Sequence, residues 1–264
     1  MAEPKTKHSQ LRKEQILQRL LERAEVTVEE LVEELGASPA TIRRDLAELE
    51  REGLLRRTHG GASLAERMLY EPFLHDSSFE AQVRRESEAK RRIGLAAASL
   101  VADNETISLT PGTTTTQVAR SIRHRRGITV ITTTVNVAME LSNREDLTVF
   151  VAGGFLRGSW FSLVGSFTIR AVSEFFVDKV FIGVNGIHAE KGLTCWNAEE
   201  AAVNRALIEH AKQKIVVADH TKLGALATAL ICPTNWVDIL ITDTGAAEEA
   251  VQPFRDLGIE VILV

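Results

Sequence analysis

Cysteine is almost missing from this sequence, with only Cys195 and Cys232 among 264 residues. Two isolated cysteines are too few for a disulfide framework or a zinc site. They fit a reducing compartment, where each behaves as a small buried hydrophobe. Long apolar runs are missing as well: the stretch from Ile93 to Ala102 is far too short to span a bilayer. The opening residues Met1-Ala2-Glu3-Pro4-Lys5 lack the apolar core of a signal peptide, so a cytoplasmic location with no membrane partner is expected. Internal repeats and low-complexity tracts are absent too, and no cofactor or metal is expected. An excess of positive charge is also lacking. The net charge of -5 argues mildly against nucleic acid, but phosphate contacts need a local basic stripe rather than a basic protein.

What is present is an ordinary globular composition, 44% hydrophobic and 25% charged, and enough chain for a small domain joined to a medium one. The pattern changes twice. Residues 1–62 read as short helices followed by a small hairpin. Residues 63–87 are expected to be a linker, since periodicity is lost from Ser63 to about Glu80. A charged helix over Ala81–Val101 then leads into strand and helix signals that continue to Val264. Apolar, β-branched runs fall at Thr106–Leu109, Ile128–Thr132, Leu147–Val151, Lys179–Val184, Lys214–Ala218, Val237–Thr242 and Ile259–Val264, with helical patterns such as Ala198–Ala211 and Ala246–Leu257 between them. Such alternation predicts a parallel sheet covered on both faces, so residues 88–264 form an α/β domain.

In the first 62 residues, Ile16, Leu17, Leu20 and Leu21 share one helical face, and Leu31, Val32 and Leu35 another. Ser38-Pro39 is a helix start, with a side-chain cap followed by proline, and Gly53 is placed to end that third helix. Ile42, Leu46 and Leu49 lie on its buried face. Thr41, Arg43 and Arg44 fall on the other side, near the helix N-terminus, where a helix lying in the major groove offers residues to base edges. Leu54 to Ala62 reads as a hairpin wing carrying Arg56, Arg57 and His59. Pattern alone leaves a second reading open, a small helical domain whose arginines are simply solvated.

Several turns in the second domain could carry chemistry. Thr110-Pro111-Gly112-Thr113-Thr114-Thr115-Thr116 places glycine and hydroxyls between a strand and a helix, where free N–H groups attract an anion; a redundantly capped turn is the competing reading. Gly153, Gly154 and Arg157 follow another strand, as do Gly183 and Asn185 after the strand that begins near Asp178. Asp219 and Lys222 follow a further one. Ligands of open α/β sheets bind beyond the carboxyl ends of the strands, so these loops are expected to converge.

Ala40-Thr41-Ile42-Arg43-Arg44-Asp45-Leu46, Leu49-Glu50-Arg51-Glu52-Gly53-Leu54 and Arg57-Thr58-His59-Gly60-Gly61-Ala62 together resemble the N-terminal signature of the DeoR-type bacterial repressors. The resemblance implies a winged helix-turn-helix in which Ser38, Thr41, Arg43 and Arg44 face double-stranded operator DNA. Asp45 would be structural, pairing with Arg44 or a base on the first helix. The four loops resemble that family's effector domain, which is similar to ribose-5-phosphate isomerase and binds phosphorylated sugars. Carried over by position, Gly112, Thr113, Thr114 and Thr115 would hold phosphate, and Asp178, Asn185, Asp219 and Lys222 would surround the sugar, with the phosphate as the alternative partner of Lys222. Three positions depart from the family pattern: Thr110 stands where an acid is usual, Thr133 where Asn is usual and Asn185 where Asp is commoner. Asn197–Arg205 and Gly258–Val264 look like the amino-sugar, N-acetylgalactosamine-type branch. The resemblance therefore implies a repressor of a carbohydrate-catabolism operon, relieved by a phosphorylated sugar and working as a homodimer or homotetramer, since paired half-sites match protein symmetry. The alternative is a sugar-phosphate isomerase-like enzyme using Asp178, Asp219 and Lys222.

Overall fold

The computed structural model describes residues 4–23, 25–51, 55–64, 77–122, 125–142, 144 and 146–264. The chain divides into two compact units, Met1–Glu71 and Pro72–Val264.

The first unit runs α1 (Pro4–Arg23), β1 (Glu25–Thr27), α2 (Val28–Leu35), α3 (Pro39–Arg51), β2 (Leu55–Arg57) and β3 (Gly61–Leu64). Thr27 and Glu30 form a reciprocal capping box. The Thr27 hydroxyl accepts from the Glu30 N–H at 3.2 Å, and the Glu30 carboxylate accepts from the Thr27 N–H at 2.7 Å. Apolar positions one turn apart supply the core: Ile16 and Leu20 from α1, Leu31 from α2, Ile42, Leu46 and Leu49 from α3, and Leu55 from β2 are all buried. The expected wing is the antiparallel pair β2–β3; β1, which the sequence did not announce, pairs with β3 to complete a three-stranded sheet. Gly53, expected to end α3, lies outside the described residues.

The second unit begins differently from expectation. Residues 65–76 of the expected linker lie outside the described residues, and Ser77–Arg84 forms a helix, α4. The single helix expected over Ala81–Val101 is instead the end of α4 and a separate α5 (Ser87–Ser99). Between them Glu86 adopts the left-handed conformation at φ 51. Periodicity could not show this break, because a glutamate carries no signal for positive φ.

From there the chain alternates β4 (Thr106–Leu109), α6 (Thr113–Ser121), β5 (Thr129–Thr132), α7 (Val135–Leu141), β6 (Thr148–Val151), β7 (Phe155–Arg157), β8 (Ser162–Val164) and α8 (Ser166–Ser173). It continues through β9 (Val177–Ile182), β10 (Gly186–His188), β11 (Gly192–Cys195), α9 (Ala198–Glu209), β12 (Ala211–Val217), β13 (Ala229–Cys232), β14 (Ile239–Thr242), α10 (Glu248–Asp256) and β15 (Glu260–Leu263). The seven apolar runs of the sequence become one seven-stranded sheet in the order β15-β14-β12-β9-β4-β5-β6, parallel throughout. Successive side chains on each strand point to opposite faces. Val180 and Ile182 thus join a core with Val172, Leu207 and Phe254 of α8, α9 and α10, while Phe181 joins Ile93, Val118 and Val137 of α5, α6 and α7 on the other face. Hairpin β7–β8 and the antiparallel trio β10-β11-β13 are additions to this plan. Among the described residues no helix is long and apolar enough to cross a membrane.

Helices α5 and α6 cross at Gly94, where an added β-carbon would lie 2.7 Å from Cβ of Gln117 and 2.9 Å from its carbonyl oxygen. Gly94→Ala is therefore expected to destabilise this unit by roughly 1–3 kcal/mol, because overpacking forces helices apart. A drop of several degrees in its thermal midpoint is the measurable sign; an unchanged midpoint would remove the close crossing.

Candidate functional site

The sheet reverses its direction of growth between β4 and β9. From β4 the chain moves outward through β5 and β6, then returns to β9 and proceeds the other way through β12, β14 and β15. Loops leaving neighbouring strands at such a switch part company and leave a crevice beyond the carboxyl ends. A cleft open to solvent lies there. Its floor comes from Pro111 to Thr114 after β4, Gly183 to Asn185 after β9, and Ala218 and Lys222 after β12. Gln82, Lys90, Arg157, Trp160, Trp196 and Glu200 supply walls.

Gly112 precedes the first turn of α6 and carries no side-chain cap for it. Its φ is 155, and a β-carbon there would lie 3.2 Å from Oγ1 of Thr115. The first-turn amides of α6, on residues that line the cleft, have no intrahelical acceptor, so the loop presents donors and the positive end of a helix dipole. Not every threonine contributes to that surface. The hydroxyls of Thr115 and Thr116 donate to the Gly112 carbonyl at 2.9 and 2.7 Å and hold the turn. Thr110 accepts from the Gly183 N–H at 2.9 Å through its hydroxyl, tying the ends of β4 and β9 together.

Two ammonium groups border this cradle. Lys222 sits in a short 3-10 turn after β12. Lys90 is only 2% exposed, and its Nζ donates to the carbonyls of Gln82 and Arg85, each at 2.5 Å. Burial lowers its pKa to about 8; Asp219 opposes that shift and Lys222 adds to it. On another wall Arg157 donates to Glu200 at 2.8 Å, and burial raises the Glu200 pKa against the pull of Arg157. Cys195 lines the cleft as well, but burial pushes its thiol to about 11, which leaves it an inert wall.

In the first unit, α3 buries Ile42, Asp45, Leu46 and Leu49 and exposes Arg43 and Arg44. Among the described residues neither arginine has a hydrogen bond or ion pair. Asp45 instead receives Arg12 of α1, at 2.5 and 3.3 Å, so the first-helix partner is the correct one of the two anticipated. Lys13 pairs with Glu48 at 2.6 Å, a second tie between α1 and α3. Arg56, Arg57 and His59 are exposed on the wing, and the Arg57 N–H donates to Glu50 of α3 at 3.0 Å. Ser38 is occupied locally: its hydroxyl accepts from the Thr41 N–H at 3.2 Å and lies 2.9 Å from the Thr41 hydroxyl, so it caps α3.

Residues 12–68 match the DeoR-like helix-turn-helix domain, and residues 85–244 match the DeoR C terminal sensor domain. The chain belongs to the DeoR family. Among curated relatives of this DeoR-family regulator, the putative aga operon transcriptional repressor of Escherichia coli O157:H7 is 33% identical over 255 residues, covering 96% of this chain and 93% of that protein. The HTH-type transcriptional repressor GlcR of Bacillus subtilis strain 168 is 36% identical over 230 residues, 86% of each chain. Ribose 5-phosphate isomerase A from Methanocaldococcus jannaschii aligns with 52% of this chain and 54% of its own at 18% identity and a TM-score of 0.37. As a DeoR-type protein it is a DNA-binding transcriptional regulator and not an enzyme.

The expected effector residues divide into two groups in this DeoR-type sensor. Gly112, Thr113, Thr114, Arg157, Gly183, Asn185 and Lys222 come together at the cleft. Asp178 does not. It lies at the opposite, amino-terminal end of β9, where it accepts from the Thr106 N–H at 3.0 Å and pairs with Lys212 at 2.7 Å, and both contacts hold its carboxyl below the usual range. Gly153 and Gly154 also fall away from the lining. The Gly153 carbonyl accepts from Thr168 of α8 at 2.6 Å, and a β-carbon on Gly154 would strike Thr168, so the absence of a side chain at Gly154 serves helix packing. Thr115 and Asp219 are buried outside the lining: the Thr115 hydroxyl is held by the Gly112 carbonyl, and Asp219 caps the turn that carries Lys222 by accepting from the Thr221 N–H at 3.1 Å. Lys90, Glu200 and the two tryptophans were missed by sequence reasoning. Lys90 stands inside an ordinary charged helical pattern, and nothing but tertiary packing distinguishes it from its neighbours Arg91 and Arg92.

Proposed function

We propose that this protein represses a carbohydrate-catabolism operon and releases its operator when a phosphorylated sugar enters the cleft at the switch point. The observation that carries the reading is the uncapped start of α6 at Gly112, bordered by the ammonium groups of Lys90 and Lys222. Backbone donors, a helix dipole and nearby cations suit a phosphate monoester. Gly112, Thr113 and Thr114 would hold the phosphate together with Lys222, and Asn185 the sugar end. On the DNA side Thr41, Arg43 and Arg44 would read base edges, while Arg56, Arg57 and His59 would meet flanking backbone. A relative named as the glycerol-3-phosphate regulon repressor of Escherichia coli strain K12, 31% identical over 248 residues, fits a phosphorylated effector. An amino-sugar phosphate is the effector we would test first, and a homodimer or homotetramer in the cytoplasm is the working assembly. Asp178 sits at the end of β9 far from the cleft, which removes one of the carboxylates that the isomerase alternative called on.

Calorimetry with phosphorylated hexoses and amino sugars tests this reading directly. Lys222→Met should bind operator as tightly as the parent while losing about ten- to a hundredfold in affinity for the effector, the worth of a hydrogen bond to a charged group. Indifference of both the parent protein and its operator affinity to every sugar phosphate in the panel would overturn the proposal.

A further inference from the structure

Three contacts join the cleft to α4. Gln82, in the last turn of α4, lines the cleft. Trp160, another lining residue, packs edge-on against Phe79 of α4 with 6.0 Å between ring centres, and Phe79 meets Phe161 in the same way at 5.2 Å. The third contact is Lys90, which reaches back from α5 to the carbonyls of Gln82 and Arg85. Carbonyls at the end of a helix lack intrahelical partners and carry the negative end of the dipole, so a lysine placed there is a cap. This cap matters more than usual, because Glu86 just beyond it holds a left-handed backbone that residues with a β-carbon disfavour. Backbone preference does not favour the break between α4 and α5; the ammonium helps to hold it.

The Lys90 side chain also lines the cleft that holds the cradle. At 2% exposure it has little water to solvate it, so carbonyl dipoles compensate its charge. A phosphate monoester arriving at Gly112 to Thr114 brings a full negative charge to the cleft that Lys90 lines, and a hydrogen bond to an ionised acceptor is about twice as strong as one to a neutral carbonyl. We propose that an anion in the cradle draws the Lys90 ammonium off the carbonyls of Gln82 and Arg85, so that effector binding uncaps the end of α4. This step rests on reading the cleft as a phosphate site. It gives occupancy a direct outlet, because α4 is the first described element after the segment that leads from the DNA-binding unit. An α4 that frays exchanges a helix of about 12 Å for a longer and looser tether, and a longer tether relaxes the spacing between paired DNA-binding units.

The test uses the full chain with inorganic phosphate as the probe. Calorimetry reads binding, and hydrogen exchange read by mass spectrometry follows the amides of Ser77–Glu86. In the parent protein, saturating phosphate should speed exchange over Ser77–Glu86 by about fivefold or more, the mark of local opening. Lys90→Met should exchange rapidly there without phosphate, show no further increase with it, and bind phosphate about tenfold more weakly or worse. Lys90→Arg, which keeps the charge, should recover part of both properties. Should Lys90→Met fail to fold, the parent comparison and Lys90→Arg still decide. Phosphate that binds the parent without changing exchange over Ser77–Glu86, or that binds Lys90→Met as tightly as the parent, overturns this proposal alone. A parent protein that binds neither inorganic phosphate nor any sugar phosphate of the panel overturns the cleft reading itself and this proposal with it.

Discussion

Alanine at both Arg43 and Arg44 is expected to weaken operator binding by about a hundredfold or more, since each bidentate contact to a guanine edge is worth about 1–3 kcal/mol. The two guanidiniums stand on the face of α3 opposite Ile42, Leu46 and Leu49, so removing them leaves the core of the unit untouched. With no hydrogen bond or close ion pair among the described residues, they break none on meeting DNA, and Arg44 gives up only a longer-range attraction to Glu48. Fluorescence anisotropy with an operator duplex, repeated over a range of salt, separates two kinds of loss. Removal of base contacts lowers affinity for operator more than for random duplex. Removal of phosphate contacts, as expected for Arg56→Ala on the wing, weakens both alike and lowers the salt slope by about one per contact. Unchanged affinity in the Arg43 and Arg44 double variant would take α3 out of the groove.

The second large effect concerns Asp45, which lies one residue beyond those arginines but faces inward. Its side chain is 3% exposed and that of Arg12 is 21% exposed. Asp45→Ala removes the carboxylate and leaves a half-buried guanidinium without a partner. Breaking a fully buried pair costs about 3–5 kcal/mol; solvent access to Arg12 reduces this, so roughly 2–3 kcal/mol is expected here. The urea midpoint of the DNA-binding unit measures it, provided the slope of the transition is unchanged. Asp45→Asn keeps the shape and part of the hydrogen bonding and should recover a portion. A loss under about 0.5 kcal/mol, the range of ordinary surface changes, would show that the pair does not hold α1 against α3.

The regular parts of the fold were legible before any coordinate. Ile42, Leu46 and Leu49 recur at helical spacing because a helix in a small domain must bury one stripe, and that constraint is written in residue order. The seven parallel strands were equally plain. A strand covered on both faces needs apolar residues at every position, as in Val180-Phe181-Ile182, where alternate side chains enter different cores. The short antiparallel pieces were not legible. Residues 155–157, 162–164 and 186–188 are three-residue strands, too brief to show a period. The site was half legible for a related reason. Strand-end motifs can locate Gly112, Asn185 and Lys222, since turn chemistry is local, but they cannot say at which end of a strand a carboxylate acts. The family resemblance put Asp178 beside the sugar, yet it sits a full strand away from where β9 meets the cleft. Lys90 carries the opposite lesson. Its role depends on the break at Glu86, and that break depends on tertiary contacts that no window of sequence contains.

The position of the crevice over β4 and β9 has a consequence for how such sensors diversify. These two strands have hydrogen-bonded neighbours on both sides, whereas β6 and β15 form the rims of the sheet. Substitutions at the rims act on strands held from one side only, while the proposed recognition site rests on two strands held from both sides, the kind of element that opens last. Lineages can therefore remodel the periphery, and with it their assembly partners, without first losing the capacity to detect a metabolite.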